Sequence, residues 1–265
     1  MEQTAVFQSA RPQSQDYQMS RAKPSPSGNH HPGGPEIVVP ESGTVIKDEF
    51  ARKYDYEHAR RYYRKHHSNP FRRLSDWREK DMARRALKAI GNPGTILDLP
   101  CGTGRFWPLL AEGRNSPIIA ADSSSDMLKV AIANCPAEFK PRINLLHTSA
   151  YQIGLAANSV DTVFSIRLLH HIGESVKRLQ ILNEFQRVAR AHVLVSLWVD
   201  GNFKAWRRRR RELRDATTGR QRTPNRFLVH RREIEAEFAA SGLEIVRYYD
   251  FLAGYSMWRL YLLKV

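Results

Sequence analysis

Apolar residues fall in short blocks through the middle of the chain, each followed by a stretch in which they recur every three or four positions. The blocks are "TILDL" at 95–99, "PIIAAD" at 117–122, "INLLHTS" at 143–149, "SVDTVFSIRLL" at 159–169 and "HVLVSLW" at 192–198. They are apolar on both faces, as strands covered from both sides must be. Helical spacing fills the gaps, near 105–113, in "SSDMLKVAIANC" at 124–135 and in "ESVKRLQILNEFQRVAR" at 174–190. Strands separated by helices predict an α/β fold with a doubly wound, mostly parallel, Rossmann-like sheet and right-handed crossovers. The tail differs. After the helical "RREIEAEFAASG" at 231–242, "LEIVRYYDF" and "YSMWRLYLL" meet at a short turn, which predicts a C-terminal antiparallel hairpin.

Outside this alternation the texture changes twice. Residues 1–45 are rich in Pro, Ser, Gly and Gln without an apolar period, a composition that cannot repay the entropy of ordering, so a disordered N-terminal arm is expected. The rest, 46–265, reads as one domain. Within it, 46–90 is a basic helical cap with Tyr54, Tyr62, Tyr63, Phe71, Leu74 and Trp77 as anchors and "SNP" at 68–70 as a break. A second basic segment, 203–233, reads as an insertion after the fifth strand.

The net charge of +15 resides in those two segments. Residues 47–90 hold fourteen Lys and Arg against seven Asp and Glu, and 203–233 hold twelve against three. Such a surface attracts nucleic acid, acidic protein, anionic lipid or an anionic small molecule. Cys101 and Cys135 are the two cysteines, too few for a disulfide framework and without zinc-site spacing, so reduced thiols and no structural metal are expected. No apolar run reaches the ~18 residues of a transmembrane segment and the N-terminus lacks signal-peptide order, which predicts a cytoplasmic protein.

Chemistry concentrates where the first strand ends, in "DLPCGTG" at 98–104. Glycines there let a ligand approach the backbone. Arg105, Phe106 and Trp107 follow Gly104, so the third glycine of a G-x-G-x-x-G nicotinamide fingerprint is missing, and no G-x-x-x-x-G-K-[ST] phosphate loop is present. Asp122 ends the second strand about twenty residues on, where a carboxylate can accept from both hydroxyls of a ribose. Its alternative role is to cap the helix that follows.

The runs "ILDLPCGTGRF", "AADSSSDML", "SVDTVFSIRLLHHI" and "LNEFQRVAR" resemble the class I S-adenosylmethionine-dependent methyltransferases, in particular the group with ubiquinone and menaquinone biosynthesis enzymes. The resemblance covers about 90–200. It implies S-adenosyl-L-methionine as cofactor, with Asp98 holding the ammonium of the methionine moiety and the backbone from Cys101 to Gly104 lying against the cofactor. Asp122 would take the ribose, Ser123 or Met127 would lie near the adenine, and Ser149 and Ala150 would stand where an Asp-Ala pair usually meets the adenine edge. Pro100 replaces the first glycine of the family turn and removes an amide donor.

Arg167, after the fourth strand, is placed to bind a substrate anion or to pair with a neighbouring acid. His170 and His171 are candidate bases for an acceptor that must lose a proton, His171 preferred, with packing as their alternative role. In the basic insertion, Phe203, Trp206 and Leu213 share a helix face and Arg207 to Arg211 point outward. The expected function is methyl transfer to a small-molecule acceptor. A methyltransferase acting on an acidic protein or RNA through Arg207–Arg211 is the alternative, and a non-catalytic binding protein on the same fold is the second.

Overall fold

The computed structural model describes residues 37–39, 70–91, 93–218 and 225–265. Among these residues eight strands form one sheet in the order β1-β4-β3-β2-β5-β6-β8-β7. They are β1 (Ile37–Val38), β2 (Ile96–Asp98), β3 (Ile118–Asp122), β4 (Ile143–His147), β5 (Val160–Ser165), β6 (Ala189–Trp198), β7 (Glu244–Asp250) and β8 (Trp258–Lys264). β1 through β6 run parallel, and β8 is antiparallel to both β6 and β7, so the C-terminal hairpin closes the sheet as expected.

The helices are α1 (Pro70–Ala89), α2 (Trp107–Ala111), α3 (Ser125–Ala133), α4 (Ser175–Val188), α5 (Phe203–Thr217) and α6 (Arg231–Ala240). Alternate strand residues face opposite sides, and each side has its own apolar core. Leu97, Val163, Val193 and Tyr261 pack with Ile181 and Phe185 of α4 and Phe238 of α6. Ile96, Phe164, Leu194 and Leu262 pack with Met82, Ala86 and Leu87 of α1 and Leu128 of α3. Strand order reverses around β2, with β3 and β4 on one side and β5 and β6 on the other. In such sheets the crevice at the carboxyl ends beside the reversal is where ligands bind.

Two caps define helices next to that crevice. Ser124 Oγ accepts the Met127 amide at the start of α3, and Asn202 Oδ1 accepts the Ala205 amide at the start of α5. Ser124 is thus the N-cap of α3, and Asp122 Oδ1 accepts the Ser124 amide just ahead of the helix.

The ends of the chain differ from the pattern-based reading in specific places. Ile37–Val38 lies inside the segment assigned by composition to the arm, yet its β-branched pair adds a short parallel strand beside Leu145 and Leu146. The remainder of the arm, and residues 46–69 of the expected basic cap with Tyr54, Tyr62 and Tyr63, lie outside the described residues. α1 begins at the "SNP" break, but Leu74 and Trp77 are 61% and 59% exposed and anchor nothing in the core. Glu79, Met82, Ala83, Ala86 and Leu87 recur at helical spacing and form its buried stripe instead.

α4 and α6 are tied by a buried charge. Arg178 donates from Nε to Glu237 Oε2 at 2.9 Å and from Nη2 to Glu233 Oε1 at 2.5 Å, and its Nη1 donates to both the Ile172 and Gly173 carbonyls. Among the described residues no helix is long and apolar enough to cross a membrane.

Candidate functional site

A cleft of about 370 Å³ crosses the carboxyl ends of β3, β2, β5 and β6. Its two ends differ in chemistry.

The β2–β3 end is built from the glycine turn and Asp122. Gly102 has φ +55°, lines the cleft, and a Cβ placed on it would meet no protein atom within 4 Å, so its open face admits a ligand directly against the backbone. Its amide donates to Asp122 Oδ2 at 3.0 Å, while Asp122 Oδ1 accepts the Ser124 amide at 2.9 Å. Both carboxylate oxygens thus accept backbone amides and hold the glycine turn against the end of β3. Cys101, Ser123, Met127, Ser149 and Ala150 line the same end. Ser149 Oγ accepts the Tyr151 amide at 3.2 Å, and burial together with the charges of Asp122 and Asp98 pushes the Cys101 thiol well up, which leaves it inert as a nucleophile.

Asp98 and Gly104 sit beneath this surface rather than on it. A Cβ on Gly104 would lie 2.7 Å from the Trp107 ring, so that glycine, at φ +74°, makes room for the indole. Trp107 Nε1 then donates to Asp98 Oδ2 at 3.2 Å. Burial raises the Asp98 carboxyl well above its ordinary range, with the Trp107 bond opposing and the Asp122 charge adding to the rise. In this arrangement the second glycine serves packing and Asp98 serves Trp107, and neither lies among the residues lining the cleft.

The β5–β6 end is aromatic and cationic. Arg167 follows β5 with φ +65°, a left-handed backbone that a non-glycine residue adopts at a cost, and its amide donates to Ser196 Oγ at 2.9 Å. Its guanidinium grips Glu79, which also accepts Arg105 Nη2 at 2.6 Å. Burial would raise the Glu79 carboxyl, but the Arg105 and Arg167 charges outweigh it and hold the group below its usual range. Of the two roles open to Arg167, the structure displays pairing with an acid.

His170 is 3% exposed, beside Trp198, Trp258 and His171. His171 Nδ1 lies 2.7 Å from the Asn225 carbonyl, which makes Nδ1 the protonated nitrogen and Nε2 the basic one. The Phe227 amide donates to the His170 carbonyl at 2.7 Å, so both histidines hold the 225–227 segment over the cleft. Burial, with Arg226 and Arg167 nearby, lowers His171 to about 4, and burial with the His171 and arginine charges lowers His170 well below its usual value.

These shifts fix a pH signature. Both histidines are more basic unfolded than folded, so acidification from about pH 6.5 towards 4 protonates the unfolded chain first and destabilises the fold. Thermal melts should fall across that window, and the fall should be shallower in His171→Gln. Between pH 7 and 8 both rings are neutral and kcat/KM should show no histidine titration. A rate limb with an apparent pKa near 7 that His171→Gln removes would contradict this.

Glu79, Trp198, Trp258 and Arg226 all line the cleft and were not singled out from sequence. Trp198 had a signal, as the last residue of an apolar strand. The other three come from a helix, a hairpin and a loop with no shared motif.

A methyltransferase-domain family matches residues 96–192. The match is to a methyltransferase domain, and the reversed final hairpin beyond it gives the sheet order expected from the sequence. Over 133 residues the chain is 31% identical to a tRNA U34 carboxymethyltransferase of Shewanella woodyi, covering 48% of this chain and 39% of that protein. A tRNA U34 carboxymethyltransferase of Pseudoalteromonas atlantica is 32% identical over 108 residues, 40% of this chain and 33% of that one. The chain thus spans well under half the length of these relatives. Among solved structures, the magnesium protoporphyrin IX methyltransferase of Synechocystis with bound SAH superposes with a TM-score of 0.63 at 16% identity, covering 82% of this chain and 99% of that one. A SAM-dependent methyltransferase from Aquifex aeolicus gives 0.55 at 18% identity, covering 80% and 100%. These two show a shared fold.

Proposed function

We propose that 46–265 is the catalytic domain of a methyltransferase that binds S-adenosylmethionine at the β2–β3 end of the cleft and presents its methyl group towards β5. The observation that carries the reading is Gly102 and Asp122 together, an open backbone face beside a carboxylate at the carboxyl end of β3. In this reading Asp122 takes the ribose hydroxyls, Gly102 lies against the ligand, and Met127, Ser149 and Ala150 enclose the adenine. When bound, the cofactor supplies an electrophilic methyl on a sulfonium.

The chain's own part is alignment and exclusion of water. His171 is held by Asn225 and is weakly basic, so it positions the 225–227 segment rather than taking a proton. Titration calorimetry with S-adenosylmethionine and S-adenosylhomocysteine, followed by a labelled-methyl screen of lysate fractions, tests the reading. Failure to bind either compound would overturn it.

A small-molecule acceptor remains the first reading, and the tRNA-modifying relatives together with α5 support RNA as the second. α5 exposes its large apolar residues as well as most of its arginines. Phe203, Trp206 and Leu213 are 45%, 52% and 68% exposed, whereas Arg208 tucks inward, donating to the Arg226 carbonyl and pairing with Glu212. Arg209 pairs with Asp200. Arg207, Arg210 and Arg211 are exposed, with Arg210 over the Trp206 ring and Phe203 stacked on Tyr255. Cations interleaved with exposed rings suit a single strand of nucleic acid. If RNA is the acceptor, replacing Arg207, Arg210 and Arg211 with Gln should leave folding intact and lower the slope of log affinity against log salt by about 2. Equal slopes in both proteins would remove the RNA reading.

A further inference from the structure

We propose that the β5–β6 end of the cleft is a slot for a flat aromatic ring carrying an anionic oxygen group, and that the methyl acceptor is an aromatic acid of this kind. The inference deepens the methyl-transfer reading of the cleft and rests on it.

Three rings make the slot. His170 lies 5.0 Å from Trp258 at 77° and 5.5 Å from Trp198 at 31°, and the two indoles stand 6.4 Å apart at 76°. The walls therefore meet as a near-perpendicular corner. A planar ring can lie along one indole while presenting its edge to the other, the two arrangements aromatic pairs prefer. A saturated ring offers neither contact.

Charge then selects among flat rings. Three guanidiniums lie over the indoles, Arg208 at 5.3 Å and Arg226 at 5.6 Å from the Trp198 ring, and Arg167 at 5.5 Å from the Trp258 ring. Two are already matched, Arg167 by Glu79 and Arg208 by Glu212. Among the described residues no carboxylate lies within ion-pair distance of Arg226. An aromatic corner alone would also welcome a cation, but its indoles are already flanked by cations and a further positive charge is repelled. An anion beside Arg226 is attracted.

The same charges make the acceptor reactive without a dedicated base. An acidic oxygen beside Arg226 is held ionised, and both nearby histidines are neutral. The oxygen gives an electron pair to the methyl carbon, the carbon–sulfur bond breaks, and its pair stays on sulfur and cancels the sulfonium charge. No proton need move. His170 Nδ1, buried in the corner with no hydrogen-bond partner among the described residues, remains available to a second polar atom on the ring.

The test is intrinsic tryptophan fluorescence and calorimetry on the full chain, with and without saturating S-adenosylhomocysteine. Four probes separate the requirements: naphthalene-2-carboxylate, naphthalene-2-carboxamide, cyclohexanecarboxylate and uridine 5′-monophosphate. Naphthalene-2-carboxylate should bind at least about tenfold more tightly than the neutral amide or the saturated acid, as loss of a charge-assisted contact implies. Arg226→Gln should remove the preference over the amide and leave S-adenosylhomocysteine affinity unchanged. Uridine monophosphate binding that depends on Arg226 would support the slot with a nucleotide as the source of the ring and anion; binding of the naphthoate alone would support a free aromatic acid. Equal binding of acid and amide, or an unchanged preference in Arg226→Gln, would overturn the slot. If S-adenosylhomocysteine binds while the slot fails, methyl transfer survives. If the slot binds the naphthoate but S-adenosylhomocysteine does not bind, the methyl-transfer reading fails instead.

Discussion

Asp122→Asn is expected to weaken S-adenosylhomocysteine binding by about 10- to 100-fold, because charge-assisted hydrogen bonds to two hydroxyls are worth roughly 1.5–3 kcal/mol. The substitution keeps the side chain's shape and one oxygen. It removes the charge and replaces the other acceptor with a donor, so the Gly102 and Ser124 amides, which Asp122 holds at 3.0 and 2.9 Å, cannot both keep their partners. Some loss of stability should therefore accompany the loss of affinity. Melting temperature and calorimetric affinity, measured on the same protein, separate the two. If the melt drops while affinity stays at the wild-type value, Asp122 serves only to shape the turn and the ribose assignment fails.

The parts of this site that lie close in sequence were legible, and the reason is local. A strand buried on both faces shows as an apolar run, and its end shows as glycines beside a carboxylate. Gly102 and Asp122 could be found that way. Gly104 belongs to the same motif, but its space is filled by Trp107 three residues on, a demand that spacing alone does not reveal. α5 was visible as a helix and its orientation was not, because five consecutive arginines point all ways round a helix. What decides is that Arg208 can reach Glu212, Trp198 and the Arg226 carbonyl at once. The aromatic slot was invisible because Trp198, Trp258 and Arg226 are brought together only when the hairpin closes on β6.

The buried Arg178 is expected to matter most to stability. Its side chain is 1% exposed and serves Glu237, Glu233 and the carbonyls of Ile172 and Gly173, while Glu237, 5% exposed, also accepts the Ser175 hydroxyl at 2.6 Å. Arg178→Met leaves a buried carboxylate without its cation and two carbonyls without donors, a change that costs about 3–5 kcal/mol. For a domain of this size that corresponds to a fall in melting temperature of about 10 °C. Removing both charges in Arg178→Met with Glu237→Met should recover part of the loss, because the uncompensated charge has gone with its partner. The turn that Arg178 holds runs directly from the residues carrying His170 and His171, so the single variant should also loosen the aromatic end of the cleft. Asp122 and Gly102 lie across β2 from it, so affinity for S-adenosylhomocysteine below the melt should stay near wild type. A double variant no more stable than Arg178→Met would show that the ion pair is not what binds α4 to α6, and a melt within 2 °C of wild type in the single variant would show that the buried guanidinium contributes little.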